Sequence, residues 1–146
     1  MRGAAVKSRK LKLDKNFEPL PTRAGDEIFR NGYFEFNITR ILEDISAGKL
    51  EVTEEPINIS SWPELHSSNA INEDHLPMVD INKTVLQAEI RAGAYNIIDG
   101  NHRLEKARRE GVELINSYKI KGEQLLPYFI KKKAYAAFVE YWNSKL

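Results

Sequence analysis

The sequence contains no cysteine, and its 22 basic and 21 acidic side chains leave almost no net charge. Without a thiol, the chain cannot form a disulfide, a zinc–thiolate site or a cysteine nucleophile. It also lacks any run of about 20 apolar residues, which a membrane-spanning helix requires. The basic start MRGAAVKSRKLKLDK is followed by no apolar segment, so it is not a secretory signal. We therefore expect a cytoplasmic protein that is not associated with a membrane.

Length and composition, in contrast, are ordinary. The 146 residues are 42% hydrophobic and 29% charged, which is typical of a soluble domain with a core of its own. Two prolines and a glycine in FEPLPTRAGDE indicate loop structure. We expect residues 1–30 to be a basic, largely irregular segment and residues 31–146 to form the domain. Within the first segment, KLKLD alternates and could form a short strand.

The two signs of charge occupy different parts of the chain. Residues 1–12 contain five basic side chains and no acid, whereas residues 41–80 contain nine acids and one lysine. We interpret the basic start as a solvated tail, with nucleic-acid binding as the weaker alternative. The three histidines, His66, His75 and His102, lack the spacing of zinc ligands, and the first two should be solvated in a loop.

Apolar residues at helical spacing predict a helix near each end of the domain. In NITRILEDISAG (37–48), Asn37 can cap the start and Gly48 can end the helix. The apolar face of this helix consists of Ile38, Ile41, Leu42 and Ile45. In the C-terminal IKKKAYAAFVEYWNSKL, the corresponding stripe consists of Tyr135, Phe138, Val139 and Trp142. We expect the second stripe to pack on the core rather than to bind a partner.

The segments that follow the first helix have the composition of short strands and a loop. LEVT (50–53) and PINIS (56–60) are predicted strands, and Pro56 favours a position at a sheet edge. SWPELHSSNAINEDHLP (61–77) is polar and contains two prolines, so we predict a long connecting loop.

Residues 84–120 predict a hairpin, a tight turn, a helix and a strand. TVLQAEI (84–90) and AYNIID (94–99) are predicted strands of a β-hairpin that turns at Gly93. NHRLEKARREG then has helical spacing and ends at Gly111. The side chains expected to face inward are Leu104, Ala107 and Arg108. VELINSYKI returns as a strand, so the chain as a whole is predicted to be an α+β domain.

The stretch IIDGNHRL (97–104) concentrates chemistry at the start of that helix. A strand that ends in glycine exposes the first N–H groups of the helix, which together with the helix dipole favour an anion. Gly100 and Asn101 would offer donors, and Arg103 could clamp phosphate oxygens. His102 could donate to phosphate or transfer a proton, and Asp99 could hold Mg²⁺ or a substrate hydroxyl. Phosphoryl chemistry requires such a set.

A plain structural interpretation of the same residues stays open. Asp99 could cap the helix. Arg103 could pair with Glu105 or Glu110 on the surface, and His102 could be a spectator. One glycine followed by one arginine is not, by itself, a specific signal of a phosphate site.

The stretch GAYNIIDGNHRLEKARREGV resembles the ParB/sulfiredoxin superfamily, in which a hairpin leads into DG-x-HR or a close variant, then a helix and a strand. The resemblance covers residues 84–120 and implies a compact α+β fold with a mixed sheet and nucleotide phosphates bound at the turn. Members of the superfamily include CTP-hydrolysing chromosome-partition proteins, ParB-like nucleases, free-serine kinases and sulfiredoxins.

Departures from the family pattern narrow the choice among the members of the superfamily. Asn101 stands at the cysteine position of sulfiredoxin, so that chemistry is excluded. Only 26 residues follow Ile120, and the arginine-rich box is missing, so we do not expect a partition protein. Kinase-like members use an acidic residue upstream as the base, and the candidates here are Glu18, Glu27 and Glu55.

Three hypotheses of function follow. The first is a stand-alone domain that binds ATP, ADP or CTP with Mg²⁺ at residues 99–103 and carries out phosphoryl transfer or hydrolysis of a nucleotide or phosphodiester. Asp99 and His102 would be catalytic. The second is a non-catalytic immunity protein or antitoxin that binds a basic protein through residues 41–80. The third is DNA binding through the basic termini, Arg108 and Arg109.

Overall fold

The computed structural model describes residues 8–60 and 72–146, which build a mixed four-stranded sheet flanked by helices. The strands are β1 (Ile28–Arg30), β2 (Glu35–Asn37), β3 (Thr53–Asn58), β4 (Val85–Arg91), β5 (Ala94–Asp99) and β6 (Leu114–Ile120). The helices are α1 (Ile38–Ser46), α2 (Asn101–Arg109), α3 (Gly122–Leu125) and α4 (Lys132–Ser144), with short 3₁₀ turns at Leu76–Met78 and Leu126–Tyr128. An α+β fold with a mixed sheet and a C-terminal helix is therefore confirmed.

The sheet has the strand order β3-β6-β4-β5. β4 and β6 run parallel, whereas the other neighbouring pairs are antiparallel. The predicted hairpin of β4 and β5 is present, and Gly93 occupies its turn with a φ of 80°. α2 then connects β5 to β6, so the hairpin, helix and strand follow in the predicted order.

Both faces of the sheet are buried at β4, which is an interior strand. Val85 and Leu86 are adjacent in β4 and both fully buried, yet they belong to two different apolar clusters. This is expected because successive side chains of a strand point to opposite faces. Leu104 and Ala107 of α2 complete the cluster around Val85. The larger cluster contains the predicted α4 stripe, and all four of its residues are buried.

The predicted start and end of α1, and the predicted edge position of the strand that follows it, are confirmed. The side chain of Asn37 accepts a hydrogen bond of 3.0 Å from the backbone N–H of Arg40, which is the predicted cap. The helix ends at Ser46, and Gly48 follows with a φ of 73°. Pro56 lies in β3, which is an edge strand, as its missing N–H predicts.

Several local predictions are wrong. Residues 50–52 lie outside a strand, because β3 begins at Thr53. KLKLD (10–14) is not a strand either. Its Leu11 exchanges hydrogen bonds with the side-chain amide of Asn143, which takes the place of a strand partner. The hairpin of β1 and β2 was not predicted, and its three-residue strands are too short to show a period.

The prediction that Arg108 faces inward is also wrong. The Arg108 side chain is 47% exposed, whereas that of Glu105 is 4% exposed. Arg108 and Arg109 both donate to Glu105, at 2.5 to 3.0 Å. Two guanidinium groups therefore compensate a buried carboxylate, and they lower its pKa to about 2 against the cost of burial.

The basic N-terminal segment contains an arginine paired with a buried carboxylate where a solvated tail was expected. Arg9 donates to both carboxylate oxygens of Glu89, at 2.6 and 2.8 Å, and also to Glu123. The backbone N–H groups of Gly93 and Gly122 donate to the same Glu89 carboxylate. We call Arg9, Glu89 and Glu123 with these two amides the Glu89 cluster. Residues 1–7 lie outside the described part of the chain.

No helix in the described ranges is both long enough and apolar enough to cross a bilayer.

Candidate functional site

The turn between β5 and α2 strongly favours glycine. Gly100 has a φ of 114°, which side-chain-bearing residues rarely adopt. A Cβ atom built on it would lie 2.8 Å from the Cγ2 atom of Val85 and 3.1 Å from the Nη1 atom of Arg103. The strand therefore changes directly into a helix, and the first turn of α2 is held close to β4.

The first N–H groups of α2 are available to a ligand. The hydrogen bond from the N–H of Leu104 to the carbonyl of Gly100, 3.0 Å long, is the first of the helix. Within residues 8–60 and 72–146, the amides of Asn101, His102 and Arg103 have no acceptor. No acidic side chain lies in the first turn, and Gly100 provides no side-chain cap. Asp99 therefore does not cap the helix, and the turn keeps the donors that an anion requires.

Arg103 turns its side chain back toward the strands. Its Nη1 atom donates to Oδ2 of Asp99 and to the carbonyl of Thr84, both at 3.3 Å. The structural alternative, in which Arg103 pairs with Glu105 or Glu110, is therefore wrong. Its remaining N–H groups donate to nothing in the described part of the chain, so part of the guanidinium is available for a ligand.

His102 lies against the segment that precedes β4. Its Nε2 atom accepts a hydrogen bond of 2.9 Å from the backbone N–H of Asn72. The ring of His75 meets that of His102 edge to face, with 5.1 Å between centroids. Burial, with a smaller contribution from His75, lowers the pKa of His102. His75 is exposed, as predicted, although its ring also contacts His102. His66 lies outside the described residues.

These groups line one cavity of about 330 Å³. Its walls are formed by Glu27, His75, Val79, Asp99, Gly100, His102 and Arg103. Four of the five residues predicted from DGNHR line it directly, and Asn101 is the neighbour of two of them. The sequence motif thus identified a real concavity, although one of modest volume for a ligand site.

Glu27 is an acidic residue that lines the cavity together with the residues of DGNHR. Of the three candidate bases, Glu27 lines the cavity, whereas Glu55 pairs with Lys119 at 2.7 Å. Partial loss of water and repulsion by Asp99 raise the pKa of Glu27, against the attraction of Arg103. Sequence reasoning proposed Glu27 but could not select it, because 72 residues separate it from Asp99.

The cavity offers two carboxylates to a cation, those of Asp99 and Glu27. No group of three or more His, Cys, Asp or Glu side chains suited to a metal occurs in the described ranges. Magnesium that arrives with a nucleotide needs only one or two carboxylates, because phosphate oxygens and water supply its other ligands. The residues present therefore fit a shared Mg²⁺ better than a metal held by protein alone.

The charged side chains suggested for other partners are in part engaged within the chain. Five described acids of residues 41–80 have partners: Glu43 binds Arg23, Asp44 binds Tyr128, Glu54 binds Asn116, Glu55 binds Lys119 and Glu73 binds Arg109. Arg108 and Arg109, the candidates for DNA contact, are engaged by Glu105. Binding of a basic protein or of DNA therefore stays a prediction.

Comparison of the chain with family models, with curated proteins and with solved structures found no match. The resemblance of DGNHR to the ParB/sulfiredoxin superfamily therefore stays a prediction from the motif. Any function must be argued from the geometry of the cavity itself.

Proposed function

We propose that the chain binds a nucleotide, as its magnesium complex, at the N-terminal turn of α2 and transfers or hydrolyses a phosphoryl group there. The observation that carries the proposal is the set of three N–H groups, at Asn101, His102 and Arg103, that have no acceptor in residues 8–60 and 72–146. They lie at the positive end of a nine-residue helix beside a cavity that also contains titratable side chains. Helix ends of this kind favour phosphate through both their donors and their dipole.

Arg103 would contact the phosphates without leaving Asp99. One nitrogen of its guanidinium holds Asp99 and the carbonyl of Thr84, and this contact fixes the direction of the side chain. The other N–H groups are then positioned in advance for phosphate oxygens, which limits the ordering cost of binding. The long distances of 3.3 Å leave room for the side chain to adjust.

The two carboxylates have separate roles in this proposal. Asp99 would hold Mg²⁺ or orient an acceptor hydroxyl, because it lies at the end of β5 next to the phosphate donors. Glu27 would accept the proton of the attacking hydroxyl or water, since its raised pKa makes it a better base than an ordinary carboxylate. Magnesium would supply charge neutralisation for the phosphate oxygens. The resemblance to the superfamily supports the same arrangement independently of the geometry.

Isothermal titration calorimetry with ATP, ADP and CTP in the presence of Mg²⁺ tests binding. Arg103→Ala should weaken the affinity by about 1.5–3 kcal/mol, the scale of a lost hydrogen bond to a charged group. Arg108→Ala is the matched control, because Arg108 lies on the same helix but its partner is Glu105. Equal affinities for the intact protein and the Arg103 variant would contradict the site.

Turnover is tested separately from binding. Glu27→Gln should retain nucleotide affinity while phosphate release, or transfer to an added hydroxyl compound, is lost. Removal of Mg²⁺ with a chelator should abolish the same activity in the intact protein. If the intact protein binds nucleotide but never turns it over, the catalytic half of the proposal fails and the binding half stands.

A further inference from the structure

Residues 72–79 form a segment that is fastened along the exposed side of α2. We call it the covering segment. It contains the 3₁₀ turn Leu76–Met78, and Leu76 is its buried residue, at 6% exposure. His75 and Val79 of this segment form one wall of the cavity. Its position therefore determines how open the cavity is.

Three side chains of α2 hold the covering segment at separate points. At the cavity end, the Nε2 atom of His102 accepts the N–H of Asn72 at 2.9 Å. Lys106 donates to the carbonyls of Pro77 and Val79, at 3.1 and 2.7 Å. At the far end of the helix, Arg109 forms a bidentate pair with Glu73, at 2.7 and 2.8 Å.

Only one of these three anchors can be switched near neutral pH. An imidazole nitrogen accepts a hydrogen bond only while it is unprotonated, so the bond from Asn72 requires neutral His102 with its proton on Nδ1. Lysine and arginine keep their charge throughout this range. The pKa of Glu73 is lowered by Arg109, so this ion pair also persists in weak acid.

We infer that the His102–Asn72 hydrogen bond is a pH-sensitive latch on the cavity wall: protonation of His102 releases the Asn72 amide, while Arg109 continues to hold the adjacent Glu73. Protonation also adds a positive charge beside the N-terminal turn of α2, which favours an anion at the moment when the amide is released. The Lys106 and Arg109 anchors keep the segment attached, so the release is local. That the latch regulates ligand entry rests on the proposed function. The pH dependence of the hydrogen bond itself does not.

Burial is the main cause of the direction of the switch. The titratable and charged groups that line the cavity with His102 are His75, Asp99, Arg103 and Glu27. In the neighbouring sequence, Glu73 and Asp74 follow Asn72, and Lys106 lies one turn along α2. Burial and His75 oppose the charged form of His102. Because its pKa is lower in the folded protein than in the unfolded chain, the latch is closed at neutral pH and is lost as the pH falls through the folded pKa.

Amide hydrogen exchange followed by NMR, without any ligand, tests the latch. Protection of the Asn72 amide, normalised to its intrinsic exchange rate at each pH, should fall about tenfold per pH unit below the pKa of His102. The midpoint of this loss should coincide with the titration of the His102 ring measured in the same samples. The amide of Val112, which donates to the carbonyl of Ala107 at the other end of α2, is the internal control.

Two variants sharpen the test. His102→Gln retains an acceptor but cannot be protonated, so Asn72 should stay protected from about pH 7.5 to about pH 5. His75→Ala removes a repelling ring, so the midpoint should move to higher pH. Asn72 protection that is independent of pH in the intact protein, or that follows a midpoint different from that of the ring, would overturn the latch. Because no nucleotide is present, a failure here is distinct from a failure of nucleotide binding.

Discussion

The Glu89 cluster and the N-terminal turn of α2 are built from the same groups but use them differently. Each contains an arginine, carboxylates and backbone amides next to a glycine. In the cluster, Glu89 is 2% exposed and receives two bonds from Arg9 and one from each of two amides, at 2.6 to 3.1 Å. At the turn, the ion pair of Arg103 with Asp99 is 3.3 Å long, and three amides have no acceptor in the described residues.

This difference in hydrogen bonding marks the Glu89 cluster as a structural site and the N-terminal turn of α2 as a candidate functional site. Burial of Glu89 is tolerated because Arg9 and two backbone amides donate to its carboxylate, while other N–H groups of Arg9 are taken up by Glu123. The cluster also fastens the N-terminal segment to β4 and α3. At the turn, the donors face a cavity, and the arginine is only partly engaged. Unused hydrogen-bonding capacity, rather than the mere presence of charged residues, indicates where a ligand would bind.

The largest effect on stability should come from Glu89→Gln. The variant keeps one acceptor oxygen but removes the charge and places an amide against the guanidinium of Arg9, so the free energy of unfolding should fall by about 2–3 kcal/mol. Urea denaturation measures this. Glu110→Gln is the control, because Glu110 is exposed at the end of α2, and it should change stability by less than about 0.5 kcal/mol.

The contribution of ionised Glu89 to the free energy of unfolding should also be lost when the intact protein is acidified. The pKa of Glu89 is lowered from 4.5 to about 2 by Arg9 and the two amides, in spite of burial. A lowered folded pKa means that the contribution is complete above pH 4.5 and is lost as the pH falls toward about 2. The stability difference between the intact protein and Glu89→Gln should therefore shrink over this window. A difference that stays constant would contradict the assignment.

The next effect concerns the glycine of the turn. Gly100→Ala adds a Cβ atom 2.8 Å from Val85 and forces an unfavourable φ, so it should reduce the unfolding free energy by about 2 kcal/mol. Gly111→Ala is the matched control, since its φ of 76° is strained but nothing lies within 4 Å. The excess loss in Gly100→Ala over Gly111→Ala measures the contact with β4, and equal losses would mean that this contact is unimportant.

The smallest effect should come from the covering segment. Lys106→Met keeps the apolar stem but loses the bonds to Pro77 and Val79, so unfolding should become easier by about 1 kcal/mol. Exchange of the Val79 amide, which donates to Leu76 within the segment, should accelerate as well. Lys133→Met, on the exposed start of α4, serves as the control. Unchanged exchange at Val79 would show that Lys106 does not hold the segment.

The sequence predicted those features that local pattern determines. α1, the hairpin of β4 and β5, α2, β6 and α4 follow from the spacing of apolar residues, and glycines mark the end of α1, the hairpin turn and both ends of α2. The turn at Gly100 was predicted for the same reason, since strand, glycine and helix are consecutive.

Features that depend on side-chain pairing were missed, whether the partner is distant or near in the sequence. Two partners of Glu89, Arg9 and Gly122, lie 80 residues before it and 33 residues after it, so Arg9 resembled part of a solvated tail. Arg108 was placed inward by spacing alone, whereas Glu105 is buried there because two arginines neutralise it. Glu27 could be selected only once folding had brought it to Asp99.

An NMR titration of the labelled protein with Mg²⁺–ATP and Mg²⁺–CTP tests the central claim most directly, because it observes both regions at once. The account predicts that the amide resonances of Asn101, His102 and Arg103 shift with the added nucleotide, whereas those of Gly93 and Gly122, already bound to Glu89, do not. Shifts absent from residues 101–103, or larger at the Glu89 cluster than at the turn, would contradict it.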